Sequence, residues 1–214
     1  EAAKRERAIY SKFVDQAYNL RSDIEGMGKV ISMLDFYSSL SYLAKECNWV
    51  KPVMVENGEV DIKDGRHPVV ESNTERYVPN SFSTNKSRFS LITGPNMAGK
   101  STYLREIALI VLLSHIGSFV PATNATIPIT DKIFCRVGAS DNLSKGESTF
   151  LIEMSESAQI LRSITDKSLV IMDEIGRRTS TQDGMSIAYA IMEYLKESGA
   201  VTLFATHYHE LTML

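Results

Sequence analysis

The stretch Gly94-Pro95-Asn96-Met97-Ala98-Gly99-Lys100-Ser101 constrains this chain more than any other, because it meets the phosphate-loop pattern of Gly, any four residues, then Gly-Lys-Ser. That pattern has meaning only between a strand and a helix, and the flanks supply both. Phe89-Ser90-Leu91-Ile92-Thr93 is a short apolar, β-prone run, and Thr102 to Leu113 carries a long helical periodicity. Strand, glycine-bearing turn and helix in that order aim backbone N–H groups at an anion, and the helix adds the positive end of its dipole. In such a frame Lys100 reaches the β- and γ-phosphates of a nucleotide, and Ser101 offers its hydroxyl to Mg²⁺.

A second feature belongs with the first. Ser168-Leu169-Val170-Ile171-Met172 is a continuous apolar run, as expected of a strand buried in a parallel sheet, and it ends in Asp173-Glu174. Adjacent carboxylates at the tip of a buried strand are costly unless a cation or a water uses them. Beside a phosphate loop, Asp173 is placed to hold Mg²⁺ and Glu174 to polarise the attacking water. Another strand, Ala200 to Ala205, ends in Thr206-His207, and His207 is either structural or a sensor of the γ-phosphate. From Thr149 a helix is expected, with Phe150, Met154, Ala158 and Leu161 on one side. Ser148 falls at its start, where a hydroxyl either caps the helix or contacts an anion. Tyr77, upstream of the loop, is either a core aromatic or an apolar face for a nucleotide base.

The rest of the chain frames these motifs. Ala17, Leu20, Ile24, Met27, Ile31 and Leu34 follow at alternating steps of three and four, a helical seam that wants a partner, with a bend expected at Gly26 and Gly28. A second helical pattern runs from Leu34 to Cys47, and Pro52 stops it. Val53-Met54-Val55, Asn57-Gly58 and Val60-Asp61-Ile62 read as a hairpin opening a new domain. His67, before Pro68, reads as a structural turn residue. The boundaries are therefore 1–50 for a helical segment and 51–214 for the nucleotide domain. A net charge of −3 over 214 residues gives no global attraction to nucleic acid, so any DNA role must rest on local features or on other segments. Cys47 and Cys135 are two unclustered thiols, which suits a reducing cytoplasm, a bacterial cytosol included. The most apolar stretch, Ile107 to Val120, is broken by Ser114, His115 and Gly117, and no membrane association is expected. The absence of an initiator Met suggests a fragment of something longer.

Four motifs in order carry a resemblance: Gly94 to Thr102, Ser148-Thr149-Phe150-Leu151-Ile152-Glu153-Met154, Asp173-Glu174-Ile175-Gly176-Arg177 with Thr179-Ser180-Thr181, and Thr206-His207-Tyr208-His209-Glu210-Leu211. Together they resemble the ATPase domain of the MutS family of DNA mismatch-repair proteins, with residues 1–50 similar to part of its core and lever helices. The resemblance implies an α/β fold of the P-loop NTPase class, a three-layer α/β/α, ABC-ATPase-like domain preceded by a helical segment. It implies hydrolysis of ATP with Mg²⁺ at a composite site on a dimer face shared with a second copy or a related subunit. Lys100, Glu174 and His207 would be catalytic, Ser101 and Asp173 would hold the metal, and Gly94, Pro95, Asn96, Met97, Ala98, Gly99 and Thr102 would cradle the phosphates. Tyr77 would stack on adenine and Ser148 would reach the γ-phosphate held by the partner. The family couples this cycle to mismatched DNA, held by domains absent here, and works with a MutL-type repair partner. Arg178 departs from the family's Gly at that place, which bears on hydrolysis and dimer closure. No mismatch-reading Phe-x-Glu wedge is found, and the chain stops before a helix-turn-helix dimerisation segment. Two other readings share the engine: a MutS-like paralogue serving recombination, and a nucleotide-gated binding module with little turnover.

Overall fold

The computed structural model describes residues 1–95, 98–137, 149–177 and 179–213. They form two compact units, Glu1–Glu46 and Cys47–Leu214.

The first unit is two helices, α1 (Ala2–Asn19) and α2 (Arg21–Glu46), separated by Leu20 alone. The bend expected at Gly26 and Gly28 is not there, since α2 runs through both. Each glycine costs a helix about 1 kcal/mol, too little to break a long one. The interruption falls instead at Leu20, whose N–H bonds the Ala17 carbonyl at 3.2 Å, the tightened last turn of α1. The seam from Ala17 to Leu34 is exposed along its length.

The second unit contains, in chain order, β1 (Val53–Val55), β2 (Asp61–Gly65), α3 (Pro68–Glu71), β3 (Asn80–Ser83), β4 (Phe89–Thr93), α4 (Lys100–His115), β5 (Asn124–Pro128), β6 (Ile133–Arg136), α5 (Thr149–Ser163), β7 (Leu169–Asp173), α6 (Thr181–Glu197) and β8 (Val201–Thr206). A 3₁₀ turn, His209–Met213, follows. The strands form two four-stranded sheets, ordered β1-β5-β2-β3 and β4-β8-β7-β6.

In the first sheet the expected hairpin is corrected: β1 and β2 do not pair with each other, because β5 lies between them. Thr126 faces Val53 in a parallel pairing and Asp61 in an antiparallel one. Ala125 and Ile127 of β5 are buried, whereas Val53 and Met54 of β1 are exposed. β5 therefore brings to β2 the apolar partner that β1 lacks.

The second sheet is parallel throughout. Every residue of β7 and β8 is buried, so the continuous apolar runs mean burial on both faces. Leu169, Ile171, Leu203 and Ala205 pack with Leu104, Ile107 and Ile110 of α4 and with Ile62, Phe82 and Ile127 of the first sheet. Val170, Met172 and Phe204 face the other way, into a cluster with Ile160 of α5 and Ala188, Ile191 and Leu195 of α6. Fully burying each such Val, Leu, Ile, Met or Phe side chain contributes roughly 1.5–3 kcal/mol. The molecule is thus α/β with one mixed and one parallel sheet. No helix among the described residues is long and apolar enough to cross a membrane.

Candidate functional site at the carboxyl edge of the parallel sheet

Parallel strands finish at a common edge, and the register fixes which residues finish together. Thr93, the last residue of β4, is opposite Thr206, the last of β8, and Asp173, the last of β7, is opposite Ala205. With strands about 4.8 Å apart, Thr93 and Asp173 lie roughly 10 Å from each other. The phosphate-loop pattern, Asp173-Glu174 and His207 therefore leave one edge of the sheet within a few ångströms of a shared centre. The carboxyl edge of such a sheet is where α/β folds take their ligands.

The loop itself turns on two glycines in the left-handed half of backbone space, Gly94 at φ +153° and Gly99 at φ +91°. Gly99 caps α4 without any side-chain hydrogen bond, which leaves the first-turn N–H groups of α4 without a side-chain acceptor among the described residues. Lys100 folds back over the loop, its Nζ donating to the Gly94 carbonyl at 2.8 Å and to the Pro95 carbonyl at 3.0 Å. Ser101 and Thr102 are half-buried in the first turn of α4. Asn96 and Met97 lie outside the described residues.

A cleft of about 510 Å³ opens beside the loop, lined by Gly94, Gly99, Lys100, Thr102, Tyr77 and Asn80 among others. Tyr77 donates its hydroxyl to Glu106 Oε2 at 2.5 Å, and Asn80 Nδ2 donates to the same oxygen at 3.3 Å. Glu106 is wholly buried on α4, and its Oε1 has no hydrogen-bond partner among the described residues. Burial raises its pKa, against the hydrogen bonds from Tyr77 and Asn80. Burial likewise raises the pKa of the Tyr77 hydroxyl, and the Glu106 carboxylate adds to the shift. Sequence reasoning missed Glu106. The available signal was a carboxylate on the helical stripe formed by Leu104, Ile107 and Ile110.

Across the edge, Asp173 is 5% exposed, and its Oδ1 is a buried acceptor with no partner among the described residues. An orphaned carboxylate oxygen at the tip of β7 and a serine hydroxyl in the first turn of α4 are both oxygen donors of the kind that suits Mg²⁺. Glu174 takes a left-handed conformation, φ +54°, which a side chain rarely adopts. Its N–H donates to the Ala205 carbonyl at 3.0 Å, and its Oε2 accepts from Arg177 Nη1 at 2.8 Å. His207 is half-buried, with its ring centroid 4.0 Å from that of Tyr208 and its Nδ1 buried without a partner among the described residues. Ser180 then starts α6, its Oγ accepting from the Asp183 N–H at 3.3 Å. Ser148 and Arg178 lie outside the described residues. His67 accepts from the N–H groups of Val69 and Val70, so its imidazole caps α3.

Comparison with known proteins bears on the same segments. Residues 90–214 match the family model described as MutS domain V. The chain is 51% identical over 214 residues to the DNA mismatch repair protein MutS of Borreliella afzelii (strain PKo), which covers 98% of this chain and 25% of that one. It is also 51% identical to the protein of that name from Clostridioides difficile (strain 630), over 98% of this chain and 23% of that one. The same protein of Lawsonia intracellularis (strain PHE/MN1-00) is 52% identical over 215 residues, 98% of this chain and 24% of its own. The chain thus spans about a quarter of the length of the curated relatives it matches.

Proposed function

This chain belongs to the MutS family, and from that premise we propose that it is the Mg²⁺-dependent ATP-hydrolysing segment of a DNA mismatch-repair protein. In this reading residues 51–214 are an ABC-type P-loop NTPase domain and residues 1–50 are helices of the family's core and lever. The observation that carries the reading is the register at the sheet edge: Thr93 opposite Thr206 and Asp173 opposite Ala205 bring the phosphate loop and the acidic strand tip to one place.

The chemistry follows from the groups at that edge. The α4 N-terminus and the Gly94–Gly99 turn bind the phosphates through backbone N–H groups, and Lys100 exchanges its carbonyl partners for phosphate oxygens. Asp173 and Ser101 would hold Mg²⁺, which when bound would supply charge neutralisation on the nucleotide phosphates. Glu174, once released from Arg177, orients the attacking water and accepts its proton. His207 would sense the γ-phosphate, and Tyr77, which lines the cleft, offers the wall on which adenine rests. Ser148 completes the site of a second copy or related subunit, so that ATP closes the pair and hydrolysis reopens it. Mismatched DNA and a MutL-type partner engage segments of the longer protein outside this chain.

A second reading, nucleotide-gated binding with little turnover, is favoured by one observation, the ion pair that occupies the Glu174 carboxylate. Phosphate release by the chain and by Glu174→Ala separates the two. Hydrolysis predicts a loss of about 10²- to 10⁴-fold in turnover with nucleotide binding retained; equal rates leave only the switch.

A further inference from the structure

Glu174 occupies a conformation that its own side chain disfavours, so something around it must impose that conformation. One restraint is the bond from its N–H to Ala205 of β8. The others converge two residues later, on Gly176. The Gly176 N–H donates to Glu153 Oε1 at 2.6 Å, and the Gly176 carbonyl accepts from the Tyr208 hydroxyl at 3.0 Å. Glu153 is 2% exposed and Tyr208 is 4% exposed, so both bonds form out of water. Gly176 also has φ +84°, and a Cβ on it would lie 2.5 Å from the Gly184 carbonyl oxygen of α6. A Cβ on Gly184 would collide in turn with Gly176 O and the Tyr208 hydroxyl. The loop after the acidic pair is therefore pinned by α5, by α6 and by the segment after β8.

We propose that Glu153 and Tyr208 are positioning residues: by holding the N–H and the carbonyl of Gly176, they fix the turn that aims Glu174 at the reacting water. This rests on the reading of Glu174 given above. Packing alone does not call for the two polar groups. A phenylalanine at 208 would fill nearly the same volume without a hydroxyl that is costly to bury unless it is hydrogen-bonded, and here its one bond among the described residues goes to Gly176. Glu153 is a buried carboxylate whose cationic neighbour, Arg136, stands 4.0 Å away at Nη2, while Arg136 Nε lies closer to Glu156, 2.9 Å from its Oε2 in an ion pair. The short bond of Glu153 goes to Gly176 rather than to the arginine. Since Glu153 sits on α5, any displacement of that helix pulls on the Glu174 turn directly.

The test uses the chain with Tyr208→Phe, Glu153→Leu and Glu153→Gln. Tyr208→Phe and Glu153→Leu are expected to lower kcat roughly tenfold or more, with the affinity for a non-hydrolysable ATP analogue held within about twofold. Glu153→Gln keeps an acceptor for the Gly176 N–H and is expected to recover most of the loss seen in Glu153→Leu. Independently of turnover, amide hydrogen exchange over residues 174–177 is expected to quicken by roughly tenfold in Tyr208→Phe, while β7 and β8 keep their protection. Unchanged exchange in that segment, or a loss of nucleotide affinity in step with kcat, overturns the assignment. Insensitivity of wild-type turnover to Glu174→Ala would sink the function assigned to Glu174, while the exchange measurement would still decide whether Glu153 and Tyr208 hold the turn.

Discussion

Glu106 shows what a single buried acid does to this molecule. Its folded pKa is raised above the ordinary 4.5 by burial, so the native state favours the neutral acid. The sign follows: its contribution to stability is full below the ordinary value and is lost as pH rises through the raised one, because the native state then carries an ionised group out of water. Glu106→Gln keeps an acceptor for Tyr77 and cannot ionise. Urea unfolding from about pH 4 to about pH 8 should show the variant gaining on the wild type as pH rises, and parallel profiles would contradict this. Lys100 gives a second prediction at the same scale. Its ammonium is spent on the Gly94 and Pro95 carbonyls, which the proposed function has it trade for phosphate. A charge-assisted bond of this kind contributes about 1.5–3 kcal/mol, so Lys100→Ala should weaken ATP binding by roughly 10- to 100-fold. Equilibrium titration with a fluorescent nucleotide measures it, and unchanged affinity would show that phosphate is not bound at this loop.

At the scale of elements, the close crossing of the Asp173-Glu174 turn with α6 rests on having no side chain at Gly184. Gly184→Ala forces backbone atoms apart and should cost about 1–3 kcal/mol as overpacking, read as a lower urea midpoint with an unchanged slope. No loss of stability would mean that the crossing is looser than described. Local pattern made several elements legible. The apolar run at Leu169 to Met172 is a fully buried strand, and the glycines around Lys100 do take left-handed backbone conformations. Pairing was less legible. Asn57-Gly58 is a strong hairpin signal, yet β5, more than sixty residues downstream, separates β1 from β2. Turn chemistry is local, whereas partner choice is decided by buried area gained at a distance. Apolar residues mark the helix after Thr149, but its most buried positions include Glu153 and Ser157, whose partners lie elsewhere in the fold or in the helix backbone. Buried polar groups of this kind, Glu106 among them, escape a reading based on apolar periodicity. Gly26 and Gly28 misled in the opposite way, since a helix this long absorbs two weak residues.

At the scale of the whole molecule, the two units differ in what holds them. Both apolar clusters lie within Cys47–Leu214, whereas α1 contains no buried residue and α2 only Ala44. A chain shortened to residues 47–214 should therefore keep a cooperative unfolding transition and its nucleotide affinity, as followed by circular dichroism and nucleotide titration. Loss of cooperativity would show that the core depends on the helices. In the proposed function the turn around Lys100 and the strand tip at Asp173-Glu174 serve one magnesium-bound triphosphate. Calorimetric titration of ATP into the chain, with and without Mg²⁺, in the wild type and in Asp173→Asn, decides whether they do. The prediction is one site per chain, tightened by Mg²⁺ in the wild type and indifferent to Mg²⁺ in Asp173→Asn. A Mg²⁺ effect of the same size in both proteins, or no binding at all in the wild type, would contradict it.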